Sequence, residues 1–286
     1  MTVKEPRAVS VGVLKGGFGK TTTALTTARD LAHRNGSALV IDLDDNGHMT
    51  RQLGFAEQYH DDTIHPERVM LDGDDPMQYV VNVADGLDLF PAHTKLESVE
   101  NELRSATMGS ARLKKHLVNP LLGEEYDYIV VDCPANRGKL NDNAMYATGN
   151  IIIPLKAQSG FESGLSNTIE RLVKEAREYF ELDILAVTPT SLSDRIDQRT
   201  RDRDLLEKLN TLQNADSLVP SYARITEADW ERIDSDGEYD LPGIRYRNDI
   251  DAAHEEGLPL RDHAPNCDQL PHYDELAVIV ENGGIQ

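Results

Sequence analysis

Apolar positions change their period repeatedly along this chain. Ala8–Leu14 (AVSVGVL) is a short run rich in β-branched residues between Pro6 and Gly16-Gly17, which predicts a buried strand. Residues 21–36 then switch to helical spacing, with Ala24, Leu25, Ala28, Leu31 and Ala32 on one face and Asn35-Gly36 as the stop. Ser37–Leu43 (SALVIDL) returns to a strand. Strand, helix and strand with short connections make a βαβ unit, whose strands run parallel. The alternation continues with strands at Leu87–Phe90, Tyr128–Val131, Ile151–Leu155 and Ile184–Val187. Helical patterning covers 95–122 with a break near Gly109, then Asn143–Thr148, Leu165–Phe180, 197–213 and Asp268–Val280. The pattern predicts an α/β fold, a mostly parallel twisted sheet with helices on both faces. Residues 226–242 (TEADWERIDSDGEYDLP), with the stretch from about 215, read as an acidic, turn-rich surface elaboration. No repeat, low-complexity tract or linker divides the 286 residues, so one domain over 1–286 is expected.

Between the first strand and the first helix lies KGGFGKTT, Lys15–Thr22, the setting that a phosphate-binding loop requires. Gly16, Gly17 and Gly19, with Phe18 among them, let the backbone curl until several N–H groups point at one anion. The following helix adds the partial positive charge of its N-terminus. Lys20 places an ammonium against the β- and γ-phosphates, the Thr21 hydroxyl is positioned to ligate Mg²⁺, and Thr22 completes the run. The usual G-x-x-x-x-G-K-[ST] spacing would put its first glycine where Leu14 stands. A second lysine, Lys15, precedes the glycines instead.

K-G-G-x-G-K-T-T resembles the deviant P-loop family of ParA, Soj and MinD-type ATPases. In that family the first lysine reaches the nucleotide of the other subunit, and the resemblance gives Lys15 this role. It further implies a P-loop NTPase-like fold, ATP and Mg²⁺ as cofactors, slow partner-stimulated hydrolysis to ADP and phosphate, and a homodimer in the ATP state. Asp42–Thr50 (DLDDNGHMT) is similar to the family segment D-x-D-P-Q-G-N-x-T, with Asp45 and Asn46 in place of Pro-Gln. Asp44 matches the family residue beside the attacking water and the Mg²⁺ shell. Tyr126–Pro134 (YDYIVVDCP) resembles the Walker B strand, in which Asp132 would hold Mg²⁺ through a water. Cys133 then reads as a small packed residue. The segments Ile151–Leu155, Gly164-Leu165 and Ile244–Pro259 (IRYRNDIDAAHEEGLP) extend the similarity over roughly the whole chain, weakly across 55–120 and 215–242. Seven residues before the first strand suggest the compact type without an N-terminal helix-turn-helix domain.

Composition narrows the setting. Asp and Glu number 50 against 29 Lys and Arg, giving a formal charge of -21, and Arg outnumbers Lys 19 to 10. An acidic, Lys-poor surface stays soluble where salt screens self-repulsion within about 3 Å at 1 M, which suggests the cytoplasm of an extreme halophile, with an ordinary acidic protein as the open alternative. Two cysteines make neither a disulfide framework nor a metal knuckle. No apolar run approaches the roughly 18 residues of a membrane helix, and nothing at the start reads as a signal peptide, so a cytoplasmic protein is expected, and the family resemblance implies nucleoid association when ATP-bound.

Within the family, the ParA branch implies non-specific DNA binding and a ParB-like activator, moving plasmid or chromosome DNA. Basic candidates for DNA contact are Arg199, Arg201, Arg245 and Arg247, with Arg195 and Arg203 nearby. Asp194, Asp197, Asp202, Asp204 and Asp249 are interleaved, and a solvated ion-pair face is the open alternative. A MinD-like or other cargo-positioning ATPase is the rival. The tail ELAVIVENGGIQ has no Lys or Arg to meet anionic lipid, so direct membrane binding is not expected. Neither Cys133 nor Cys267 has the setting of a shared iron–sulfur cluster, no substrate motif of a small-molecule ligase is visible, and the nine histidines show no metal spacing. Trp230 is left between local packing and a partner contact.

Overall fold

The computed structural model describes residues 5–194, 201–235 and 239–286. Seven strands, β1 (Arg7–Val11), β2 (Ala38–Asp42), β3 (Val81–Ala84), β4 (Leu87–Phe90), β5 (Tyr128–Asp132), β6 (Asn150–Lys156) and β7 (Asp183–Thr190), form one sheet in the order β3-β4-β2-β5-β1-β6-β7. All neighbours are parallel except the β3–β4 pair at one edge. The expected α/β architecture is therefore the observed one. Helices of eight or more residues in the described segments are α1 (Lys20–Asn35), α2 (Leu96–Ser105), α3 (Lys139–Thr148), α4 (Phe161–Thr168), α5 (Arg201–Asn210), α6 (Glu227–Asp234), α7 (Asn248–Glu256) and α8 (Leu270–Asn282).

Alternation along the strands divides the core between the two sheet faces. Val9, Val11, Val40, Tyr128, Val130 and Ile152 pack under α1 and α8. Ala8, Leu39, Ile41, Ile129, Val131 and Ile153 pack with α2, α3 and α5 on the other side. Central strands buried on both faces read as unbroken apolar runs, which is why they stood out in the sequence.

Parallel strands bring all their carboxyl ends to one edge. The register places Val11 opposite Asp132, and Asp132 opposite Asp42, so the ends of β1, β5 and β2 lie side by side. β1 is flanked by β5 and β6 while its own connection leads over β5 to β2, which makes this edge a topological switch point, where α/β sheets bind ligands.

Four features depart from the expected elements. β3 joins β4 through the Asp85-Gly86 turn, with Gly86 at φ 72°. Residues 226–242 are not all turn: α6 carries a capping box between Thr226 and Asp229 and buries Ile233. Trp230 packs locally, its ring 4.3 Å beneath the Arg203 guanidinium, which also meets Asp234 at 3.0 Å. α7 occupies part of the late family-like segment, and the expected helix Leu165–Phe180 is α4 followed by a π turn at Ile169–Lys174.

Candidate phosphate-binding site

The glycine loop leaves β1 at the switch point. Gly17 and Gly19 both take φ 76°, a left-handed conformation that a side chain would strain. A Cβ at position 19 would also lie 3.1 Å from the Thr190 hydroxyl, which donates to the Phe18 carbonyl at 3.3 Å. The Phe18 ring is fully buried and anchors the loop in the core. α1 opens at Lys20 with no side-chain cap and no acid in its first turn, so its first N–H groups remain for an anion.

The two lysines occupy different places. Lys20 is buried and folds back across the loop, its Nζ 3.4 Å from the Lys15 carbonyl. Lys15 turns away toward the end of β6, donating to the carbonyls of Ser159 at 2.8 Å and Gly160 at 3.2 Å, with its Nζ 5.7 Å from the Phe18 ring centroid. Gly160 has φ 80°, and a Cβ there would fall 2.5 Å from the ammonium. Lys15 is thus stowed on its own chain by neutral carbonyls, and among the described residues it forms no ion pair with a carboxylate.

Three aspartates face the loop with three different environments. Asp42 is buried and fully engaged: it accepts from the Thr50 amide at 2.9 Å, the Thr50 hydroxyl at 2.7 Å and the Asp44 amide at 3.2 Å. Burial outweighs these bonds and pushes its carboxyl up to about 6. Asp44 is half-buried and accepts from the amide and side chain of Asn46 at 3.0 and 2.9 Å. Burial opposes its ionisation, but the Asn46 hydrogen bonds and the Lys20 ammonium prevail and hold the carboxyl below the usual range. Asp132 is 1% exposed and neither oxygen has a hydrogen-bond partner of normal geometry. Burial, then neighbouring Asp42, push it well above the ordinary carboxylate range, against the opposing pull of the Thr21 hydroxyl and Lys20. A buried carboxylate without a donor, beside a threonine hydroxyl and a second carboxylate, is the donor set of a hydrated divalent cation such as Mg²⁺.

Thr22 lies on the other side of the loop, in a cleft of about 330 Å³ lined also by Gly17, Thr190, Tyr246, Ile250 and His254. His254 Nε2 is 3.4 Å from the Thr22 hydroxyl, and burial holds the imidazole below its usual range.

A family profile described as an AAA domain (AAA_31) matches residues 6–184, a span holding the loop and all three aspartates. The chain belongs to the ParA/Soj/MinD-type family of P-loop ATPases. The sporulation initiation inhibitor protein Soj of Bacillus subtilis is 26% identical, over 78% of this chain and 87% of Soj. The maintenance of carboxysome distribution protein A of Synechococcus elongatus is 30% identical, over 77% and 86%. Among solved structures, an Asp-to-Ala variant of Cyanothece McdA in complex with ATP superposes with a TM-score of 0.73 at 21% identity, over 96% and 97% of the two chains.

In this ATPase the basic candidates for DNA contact fare differently. Arg245 is 3% exposed, its guanidinium directed to the carbonyls of Ser193 and Pro242 and to Asp194. Arg247 is clamped by Asp268 at 2.6 and 2.8 Å and by Asp194 at 3.1 Å. Both arginines thus form ion pairs on their own chain, Arg245 with Asp194 and Arg247 with Asp194 and Asp268. Arg201 is exposed at the start of α5. Arg199, with Arg195, lies outside the described residues.

Several residues that shape the site went unnoticed in the sequence. The Thr50 hydroxyl both donates to Asp42 and accepts from the Ala92 amide at 2.8 Å, joining the ends of β2 and β4. Tyr59 donates to the Asp45 carbonyl at 2.6 Å and packs against Gly47, whose missing Cβ makes room for the ring. The Glu100 carboxylate accepts from the amides of Lys139 and Leu140 at 2.6 and 2.8 Å, closing the loop that follows Asp132. A cap delivered from 39 residues away leaves no local signature. Thr50 is the simplest of these to probe. Thr50→Val keeps its volume but leaves buried Asp42 and the Ala92 amide each short of a partner, so urea unfolding is expected to show a loss of about 1–3 kcal/mol.

Proposed function

We propose that the protein is a Mg²⁺-dependent ATP hydrolase that works as a ParA-like switch, dimerising on ATP with a nucleotide at each half of the interface. The observation that carries this reading is Asp132, a buried carboxylate at the end of the strand beside the glycine loop, with the Thr21 hydroxyl next to it and no hydrogen bond of normal geometry to either oxygen. The loop amides and Lys20 bind the phosphates, and the cleft at Thr22 and His254 has a volume suited to the nucleoside half. Mg²⁺, when bound, neutralises phosphate charge and orders water, and Thr21, Asp132 and Asp44 are the side chains placed to hold it or its water shell. Asp44, kept ionised, orients a water and accepts its hydrogen bond. Lys15 leaves the Ser159 and Gly160 carbonyls and carries its charge to the partner's phosphates.

In the ParA reading the ATP dimer holds DNA without sequence preference and a ParB-like protein stimulates hydrolysis. A second reading is favoured by two observations. The engagement of Arg245 and Arg247 in ion pairs removes half of the expected DNA face, and one relative at 30% identity is named for carboxysome distribution. In that reading the same switch positions a cargo other than DNA.

Asp44→Ala tests the switch. With ATP and Mg²⁺ it is expected to elute as a dimer in sizing with light scattering, while hydrolysis falls by about 10²–10⁴. A monomer with normal turnover would overturn the proposal. The dimer then separates the two readings in a gel shift with unrelated duplexes. ATP-dependent binding weakened by Arg201→Glu supports DNA partition, and a dimer that binds no DNA supports another cargo.

A further inference from the structure

Many cations of the described surface sit beside a carboxylate, as Arg29 does with Asp262, Arg68 with Asp72 and Arg261 with Asp274. The run ARLKKH at 111–116 is different. The Arg112 guanidinium donates to the carbonyls of Leu71 and Thr107, and the Lys114 ammonium lies 4.9 Å from the Tyr146 ring centroid. Lys115 is exposed, and among the described residues none of the three forms an ion pair with an acid. The neighbouring His116 imidazole is held below its usual range by burial and then by Lys115 and Arg112.

These cations line a hollow of about 440 Å³, which shares Met108, Ala111 and Tyr146 with a second of about 730 Å³ where Arg137 and Lys139 stand among Asp142, Glu175 and Glu178. The floor is an edge-to-face pair, Tyr146 on Phe180, with ring centroids 5.2 Å apart. On the rim stand Met108, 73% exposed, and Tyr179, 84% exposed. The Met108 backbone is left-handed at φ 54°, a conformation that non-glycine residues adopt at a cost. The cationic wall is itself a π turn, Lys114–Val118, and a second π turn at Ile169–Lys174 leads into the opposite wall. Large apolar side chains held in water between two π turns, one of them on left-handed backbone, mark a recognition surface.

We propose that this groove docks an acidic peptide segment with an apolar anchor, the anchor seated between Met108 and Tyr179 and the carboxylates on Arg112, Lys114 and Lys115. Duplex DNA fits less well. The Lys114 ammonium lies flat on a ring instead of projecting, and the hollows are concave and lined by methionine and tyrosine, which suits side chains rather than a phosphate ridge. Arg137 gives the groove a link to the nucleotide. It belongs to the loop after Asp132, lines the larger hollow, and donates to the Arg171 carbonyl at 2.8 Å and to Glu175 at 3.3 Å. A docked segment competes for that guanidinium and shifts the loop, so the occupant is expected to change turnover. This second half rests on the ATPase reading, whereas the docking itself does not.

A random peptide library displayed on phage, selected on nucleotide-free protein and counter-selected on Lys115→Glu, tests the groove. Enriched peptides are expected to be net negative with an aromatic or leucine anchor. In fluorescence anisotropy they should bind Lys115→Glu and Tyr179→Ala at least about tenfold more weakly than the unmodified protein. Both positions are exposed, and equal melting temperatures confirm that the variants fold. Enrichment of basic sequences, or of none that the variants weaken, would overturn the proposal. So would duplex DNA binding that Lys115→Glu abolishes. ATP turnover with and without peptide is read separately. Unchanged turnover on peptide binding removes only the link through Arg137, and peptide binding by a protein that never hydrolyses ATP removes only the ATPase reading.

Discussion

Lys20→Ala is expected to lose nucleotide binding, and Lys15→Ala to keep it while losing turnover. The difference follows from where the two ammonium groups lie. Lys20 is buried inside the loop, over the concavity that the amides of α1 leave for an anion. Removing its charge deletes a desolvated contact to the phosphates worth about 2–5 kcal/mol, or roughly 30- to 5,000-fold in Kd. Lys15 makes no contact inside that concavity, because its Nζ is 2.8 Å from the Ser159 carbonyl. Its truncation leaves the binding amides and Lys20 intact, so Kd for ATP measured by calorimetry should move less than about threefold. A cation completing the pocket from a twin subunit, by contrast, is worth about 10³-fold or more in rate. Lys15→Ala with normal turnover and normal ATP-dependent dimerisation would remove the cross-subunit role. Equal loss of affinity in both variants would mean that the two lysines serve a single pocket.

Much of this site was legible because it obeys local rules. Gly17 and Gly19 announce left-handed backbone, Lys20 and Thr21 follow at fixed offsets, and β1, β2 and β5 are unbroken apolar runs because both of their faces are covered. Asp132 was readable as the last residue of such a run. What escaped depends on tertiary approach. Glu100 caps α3 from a different helix, and Tyr59 reaches Gly47 across a turn. The Asp85-Gly86 dipeptide carried a hairpin signal that β3 realises, and it passed unread because the alternation around it was short. The arginines show the opposite limit. Arg245 and Arg247 have the composition of a nucleic-acid face, yet the fold brings them against Asp194, from β7's trailing loop, and Arg247 also against Asp268, from the turn before α8. Charge pattern in sequence counts cations without revealing which carboxylates fold onto them.

Asp132→Asn should move stability and ligand response in opposite directions. In the unliganded protein Asp132 is a carboxyl held out of water beside Asp42, with no hydrogen bond of normal geometry to either oxygen. The amide carries no charge to desolvate and relieves the repulsion with Asp42, so the variant is expected to be more stable by about 1–3 kcal/mol. At about 2–4 °C per kcal/mol for a domain of this size class, the gain is readable as a higher Tm. The same change removes the oxygen that answers a divalent cation. Wild-type protein saturated with ATP and Mg²⁺ at about 100 times Kd gains about 2.7 kcal/mol, which EDTA withdraws. In Asp132→Asn the Mg²⁺-dependent part of that gain should vanish, leaving the melting curve indifferent to EDTA. A buried carboxyl that is costly without a cation and satisfied with one accounts for both halves at once. A variant that is destabilised without ligand would instead assign Asp132 to the fold, and one that keeps the EDTA response would move the cation to other side chains.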